Sequence, residues 1–89
     1  MWTGYYPMEE KHDLAQNCGM LLFEMDNYED ALLFYERSQN LDEANSTVLY
    51  HMAICYDELG IEDSARQYAH RAIAIEPEHE GALSLLSVL

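Results

Sequence analysis

The side chains with which this chain could hold a metal or attack an electrophile are the histidines His12, His51, His70 and His79 and the cysteines Cys18 and Cys55. Zinc-protease chemistry needs two imidazoles one helical turn apart, with a carboxylate between them. No two histidines here have that spacing. Redox chemistry of the paired-thiol type needs Cys-x-x-Cys, and a phosphate cradle or nucleophile elbow needs its own glycine spacing. None of these motifs occurs. Glu9-Glu10 and Asp57-Glu58 are adjacent carboxylates, but in a chain with 17 acidic residues such pairs carry little information. The imidazoles read as scattered, solvent-exposed side chains. Cys18 and Cys55 fall on apolar stripes and read as small core residues. The sequence predicts no catalytic residue, no metal ligand and no cofactor, and hence a protein that is not an enzyme.

The elements that carry these residues are helical. Leu14, Cys18, Leu21, Leu22 and Met25 recur three or four apart, the spacing of one helical face. Asp26-Asn27 breaks the run and is suited to cap a second helix with Tyr28, Ala31, Leu32, Tyr35 and Leu41 on its stripe. Asp42 to Asn45 is turn-like, and Asn45 or Ser46 is a good N-cap for a third helix carrying Val48, Leu49, Met52, Ala53, Cys55, Tyr56 and Leu59. Gly60 ends it. A fourth helix holds Ala65, Tyr68, Ala69, Ala72, Ile73 and Ile75, and Pro77 stops it. A last helical segment runs from Glu80 to Leu89. Connections this short make sequential helices antiparallel neighbours.

Shifting the chain against itself by 34 residues brings the two helix pairs into register. Gly19 falls on Ala53, Leu22 on Tyr56, Met25-Asp26 on Leu59-Gly60, Ala31 on Ala65 and Leu41 on Ile75. Small residues at Gly19, Ala53, Ala31 and Ala65 allow close helix approach, and Leu22, Tyr56 and Tyr35 fill the space beside them. With Cys18-Gly19 and Leu22, Met52-Ala53 and Tyr56, Ala31 and Tyr35, Ala65 and Ala69, and the closing Pro77, the chain resembles the tetratricopeptide repeat (TPR) family. The resemblance spans about residues 8–89. It implies an all-α fold: a right-handed superhelix of antiparallel helix pairs. The expected organisation is an aromatic N-terminal arm over residues 1–11, a first repeat over 12–45, a second over 46–79, and a C-terminal capping helix or start of a third repeat over 80–89.

In that family the first helix of each pair lines a concave surface, which locates the expected partner-binding groove. Its residues are Asp13, Gln16, Met20, Phe23 and Glu24 from the first helix and Thr47, Tyr50, Ile54, Asp57 and Glu58 from the third. Met20, Phe23, Tyr50 and Ile54 give this set an adaptable apolar and aromatic centre within an acidic rim. Some family members clamp the acidic tails of heat-shock chaperones with Lys, Asn and Arg. The matching positions here are Gln16, Met20, His51, Gly81 and Leu85, so the expectation is that an acidic chaperone tail is not a ligand.

Charge points the same way. Seventeen acidic residues against four basic give a formal −13. Nucleic acid and anionic membrane surfaces both need Lys and Arg to neutralise them, and are excluded as partners on that ground. No apolar run is long enough to span a bilayer and no secretory leader is visible. With two cysteines forming no disulfide framework, the expected location is cytoplasmic. The functional expectation is a protein-interaction module, acting as an adaptor, scaffold or assembly factor. It would bind a helical or extended, neutral to basic segment of a protein partner in its groove. The alternatives are a small secretion-type chaperone for one aggregation-prone substrate, and a homo-oligomerising structural module. Trp2, Tyr5 and Tyr6 in the arm and Leu85, Val88 and Leu89 at the far end are candidates for self-association. For the arm the preferred expectation is that it caps the apolar end of the first repeat; docking into the groove of its own or another copy and anchoring a partner are the alternatives.

Overall fold

The computed structural model describes the backbone of residues 11–89, with side chains from Leu14 onward. Five helices follow one another: α1 (Lys11–Glu24), α2 (Tyr28–Leu41), α3 (Ser46–Glu58), α4 (Glu62–Ile75) and α5 (Glu80–Val88). No strand occurs among the described residues. Trp2, Tyr5 and Tyr6 lie outside the described residues, as does the side chain of Asp13.

α1 packs on α2, α2 on α3, α3 on α4, and α5 on both α4 and α3. This zigzag sets α1, α3 and α5 in one row and α2 and α4 in the other. The core between the rows is small and closely filled. Ala31, Tyr35, Val48, Met52, Cys55, Ala65, Ala69, Ala72 and Ala82 are all fully buried. Tyr35 can lie flat against α1 because residue 19 is glycine. A Cβ there would come within 2.9 Å of the Tyr35 ring.

The 34-residue offset is visible in the backbone. Asp26 and Gly60, one offset apart, are the two described residues in the left-handed region, at φ of 61° and 82°. Each follows a helix closed by the same bond. The Asn27 amide donates to the Leu22 carbonyl and the Ile61 amide to the Tyr56 carbonyl, both at 2.8 Å. These six-residue closures satisfy carbonyls that the helix end would otherwise strand. The Asp26 carboxylate also accepts from the Tyr28 hydroxyl at 2.9 Å. Asn27 holds the N-cap position of α2 but makes no side-chain cap bond. Its amide donates instead to Asp30, at 2.9 Å.

Asn45 and His79 are likewise one offset apart, and each caps the helix that follows it. Asn45 Oδ1 accepts from the Val48 amide at 3.2 Å. His79 Nδ1 accepts from the Ala82 amide at 3.1 Å.

One part of the sequence reading is corrected. Leu14, Leu21, Met25 and Leu41, whose spacing puts them on apolar stripes suited to burial, are 66%, 61%, 72% and 57% exposed. The residues of α1 that turn into the molecule are Gly19, Leu22 and Phe23. In a repeat array each layer is covered by its neighbours. Among the described residues, none packs on the outer side of the α1–α2 pair, so its second stripe stays open.

Candidate functional site

The row α1, α3, α5 carries most of the residues read from the sequence as a groove, but they do not play equal parts. Phe23 is half-buried and packs against the core of Ala31, Leu32, Tyr35, Val48, Met52 and Cys55. Its ring meets Tyr28 edge-on at 5.6 Å and stacks on the His51 imidazole at 5.4 Å. Tyr50 lies over α5, packed against Leu49, Ala72 and Ala82. The closeness depends on Gly81, where a Cβ would fall 2.6 Å from the Tyr50 ring. Gln16 is half-buried and tied to the start of α3, its Oε1 accepting from Asn45 Nδ2 at 3.1 Å. Ile54 and Asp57 are half-buried, while Met20, Glu24, Thr47 and Glu58 are exposed. Leu85 and Leu89 are half-buried and Val88 is exposed on the terminal helix.

The residue the sequence reading missed is the one at the centre. His51 was grouped with scattered exposed imidazoles, and it is instead half-buried among rings from three directions. Phe23 stacks on it from α1, Tyr35 approaches at 5.6 Å from α2, and Tyr50 at 5.6 Å beside it on α3. The next ring along is His79, 4.8 Å from Tyr50. A ladder of rings therefore runs from Tyr28 at the start of α2 through Phe23 of α1 and His51 and Tyr50 of α3 to His79 at the cap of α5. His51 Nδ1 is 3.2 Å from the Tyr35 hydroxyl. Burial, and then the neighbouring His79, hold the His51 imidazole below its ordinary value of 6.5. The neutral ring is thus favoured, and with its proton on Nε2 the Tyr35 hydroxyl donates to Nδ1. Burial also pushes the Tyr35 hydroxyl up, so it stays a donor. The sequence signal that could have found His79 is its 34-residue offset from the cap residue Asn45.

Aromatic rings and Met20 supply apolar, adaptable area, and the imidazole and amide edges supply polar contacts. No group of three or more His, Cys, Asp or Glu side chains placed to hold a metal ion occurs among the described residues. Cys55 is buried, and its thiol is pushed up to about 12 by that burial and by Glu58, which leaves it neutral and unreactive. No helix among the described residues is long and apolar enough to cross a membrane.

No protein-family model matches the chain, and no curated protein does. Solved structures do match. The second TPR of Spaghetti (RPAP3), bound to the HSP90 peptide SRMEEVD, superposes with a TM-score of 0.86 at 20% identity, covering 90% of this chain and 74% of that one. The first TPR of the same protein, bound to the same peptide, gives 0.86 and 20%, covering 96% and 68%. This likeness shows the fold: an all-α helical repeat of the tetratricopeptide type.

It also overturns one expectation. An acidic chaperone tail was set aside as a ligand because Gln16, Met20, His51, Gly81 and Leu85 include no Lys, Asn or Arg. Both neighbouring structures hold such a tail, two Glu and an Asp in SRMEEVD. The exclusion rested on net charge and on five side chains read singly. Net charge acts at long range and is screened by salt. The five positions also omit Asn45 and His79, which the fold brings to the same row of helices. The exclusion is withdrawn.

Proposed function

We propose that this chain is a protein-interaction module that takes a short segment of another protein against the row α1, α3, α5. The observation that carries this reading is the ladder of rings from Phe23 through His51 and Tyr50 to His79, flanked by the exposed Met20 and the half-buried Ile54. The ligand it suits inserts an apolar or aromatic side chain along the ladder and meets the amides and imidazoles with its polar backbone. Glu24, Asp57 and Glu58 form an acidic rim whose influence is long-range and salt-dependent. The solved neighbours with this fold, each bound to a peptide, support the reading. Binding of this kind needs no catalytic group, and we place the protein among non-enzymatic adaptors.

Two peptides test it. One is SRMEEVD; the other has its three acidic residues replaced by Lys. Each is titrated into the isotopically labelled protein, and backbone amide shifts are followed by NMR. Shifts centred on Met20, Tyr50, His51 and Ile54 with either peptide support the reading. Shifts confined to α2 and α4, or none with either peptide, sink it. Comparing the two affinities at low and high salt shows what the acidic rim contributes.

A further inference from the structure

A groove of about 260 Å³ runs between Leu14, Ala15 and Cys18 of α1 and Phe34, Arg37 and Leu41 of α2. Its walls are apolar except for the Arg37 guanidinium, which lies 5.5 Å over the Phe34 ring and has a second planar face to offer. Leu14 and Leu41 stand at its mouth, more than half exposed. It lies on the opposite side of the first pair from the core that Ala31, Tyr35, Val48 and Met52 form with α3.

We infer that this groove is occupied by the chain's own residues 1–10, with Trp2 and the tyrosines Tyr5 and Tyr6 as the inserted side chains. Four observations meet here. The segment immediately precedes α1, and Leu14 is one helical turn from that entry. α2 runs antiparallel, so Leu41 at its end lies beside the same entry. Nine residues span up to ~30 Å, while Cys18 is only ~10 Å along the helix from Lys11, so Trp2 has ample reach. The segment's chemistry matches the walls: it holds the chain's one tryptophan and two of its seven tyrosines within five positions, together with Gly4 and Pro7, residues suited to reversing direction. Attachment to α1 decides between this occupant and the same segment of a second copy. A short tether gives an effective concentration of about millimolar, which a free copy must exceed to compete.

Trp2 makes the inference measurable. Its emission in the intact protein is expected to be blue-shifted relative to a synthetic peptide of residues 1–10. It should be independent of protein concentration from about 1 µM to about 100 µM, far below the effective concentration of the tether. In the double variant Leu14→Asn/Leu41→Asn the emission should move to that of the free peptide. Both leucines are exposed enough for the helical spectrum to survive. Cys18 gives a second readout, because it lines the groove while Cys55 is buried. Alkylation of Cys18 should accelerate by about five-fold in Trp2→Ala/Tyr5→Ala/Tyr6→Ala, as the covering side chains are removed. Peptide-like emission in the intact protein overturns the inference. So does a blue shift that persists in the double variant, or an alkylation rate indifferent to the triple variant. A blue shift lost on dilution overturns it in favour of a second copy's arm.

Discussion

The hydroxyl of Tyr35 on α2 lies 3.2 Å from Nδ1 of His51 on α3. It joins the fully buried core ring to the ladder that faces outward. The bond needs a lone pair on Nδ1 if the hydroxyl is to donate, and burial works in the same direction by disfavouring the imidazolium. The ring ladder and the core are therefore joined by one hydrogen bond whose direction follows the protonation of the imidazole.

That coupling has a sign. The His51 imidazole is held below 6.5 in the folded protein and returns to that value on unfolding. Above 6.5 both states are neutral and the group contributes no pH dependence. As pH falls below 6.5 the unfolded chain takes up the proton first, so stability is lost on acidification until the folded group also titrates. Urea unfolding should therefore show a midpoint that declines below about pH 6.5. In His51→Gln this part of the decline should disappear. A slope unchanged by the substitution would assign the pH dependence to other groups.

Two glycines, on α1 and α5, are predicted to respond differently to alanine. At Gly19 the new methyl meets the Tyr35 ring at 2.9 Å, and that ring is fully buried with no room to move. Overpacking of about 1–3 kcal/mol outweighs the helix-propensity gain of about 1 kcal/mol. Gly19→Ala should lower the thermal midpoint. At Gly81 the obstacle is the tip of Tyr50, a half-buried side chain that can swing outward. Gly81→Ala should leave thermal stability within about 1 kcal/mol, since propensity offsets the lost contact. It should weaken peptide capture, because Tyr50 leaves its place beside His79. Equal destabilisation by both substitutions would contradict this.

Phe23 and Met20 separate stability from binding. Phe23 is part of the core packing as well as of the ladder, so Phe23→Ala should cost about 2–4 kcal/mol, a large share of the stability of a small domain. Loss of capture in that variant therefore has a trivial cause. Met20 is 37% exposed and no core cluster contains it. Met20→Ala should change the urea midpoint little and reduce peptide affinity. Calorimetric titration beside a denaturation curve tests both halves.

How far these features could be read from the sequence varies with how local they are. Helix limits and pair register were legible because Gly60, Pro77, the small residues and the 34-residue offset are local signals. The orientation of α1 was not. Its residues 14, 18, 21 and 25 make as regular a stripe as 19, 22 and 23. Periodicity does not say which stripe faces the next pair and which faces the open side. His51 was illegible for another reason. A lone histidine reads as polar, and its burial is created by Phe23 and Tyr35, which come from two other helices. The error on acidic tails has the same origin: the positions were judged singly, without the amides and imidazoles that the fold sets beside them.

Asn45 offers the sharpest test of how the first pair is joined to the second. Its side chain does two things at once. Oδ1 caps α3 by accepting from the Val48 amide at 3.2 Å, and Nδ2 donates to Gln16 of α1 at 3.1 Å. Asn45→Ala removes both and should cost about 1–2 kcal/mol, the upper part of the range for a lost N-cap. Asn45→Asp keeps an acceptor for Val48 and places negative charge at a helix N-terminus, where it is favoured by about 0.3–1 kcal/mol. It removes only the donor to Gln16. If the cap dominates, Asn45→Asp should unfold close to the unmodified protein and well above Asn45→Ala. If the tie to α1 dominates, the two variants should unfold together. Gln16→Ala then decides the matter independently, because it cuts the tie and leaves the cap untouched. With the bridge half-exposed, we expect the cap to dominate: Gln16→Ala should shift the urea midpoint by less than half the shift caused by Asn45→Ala.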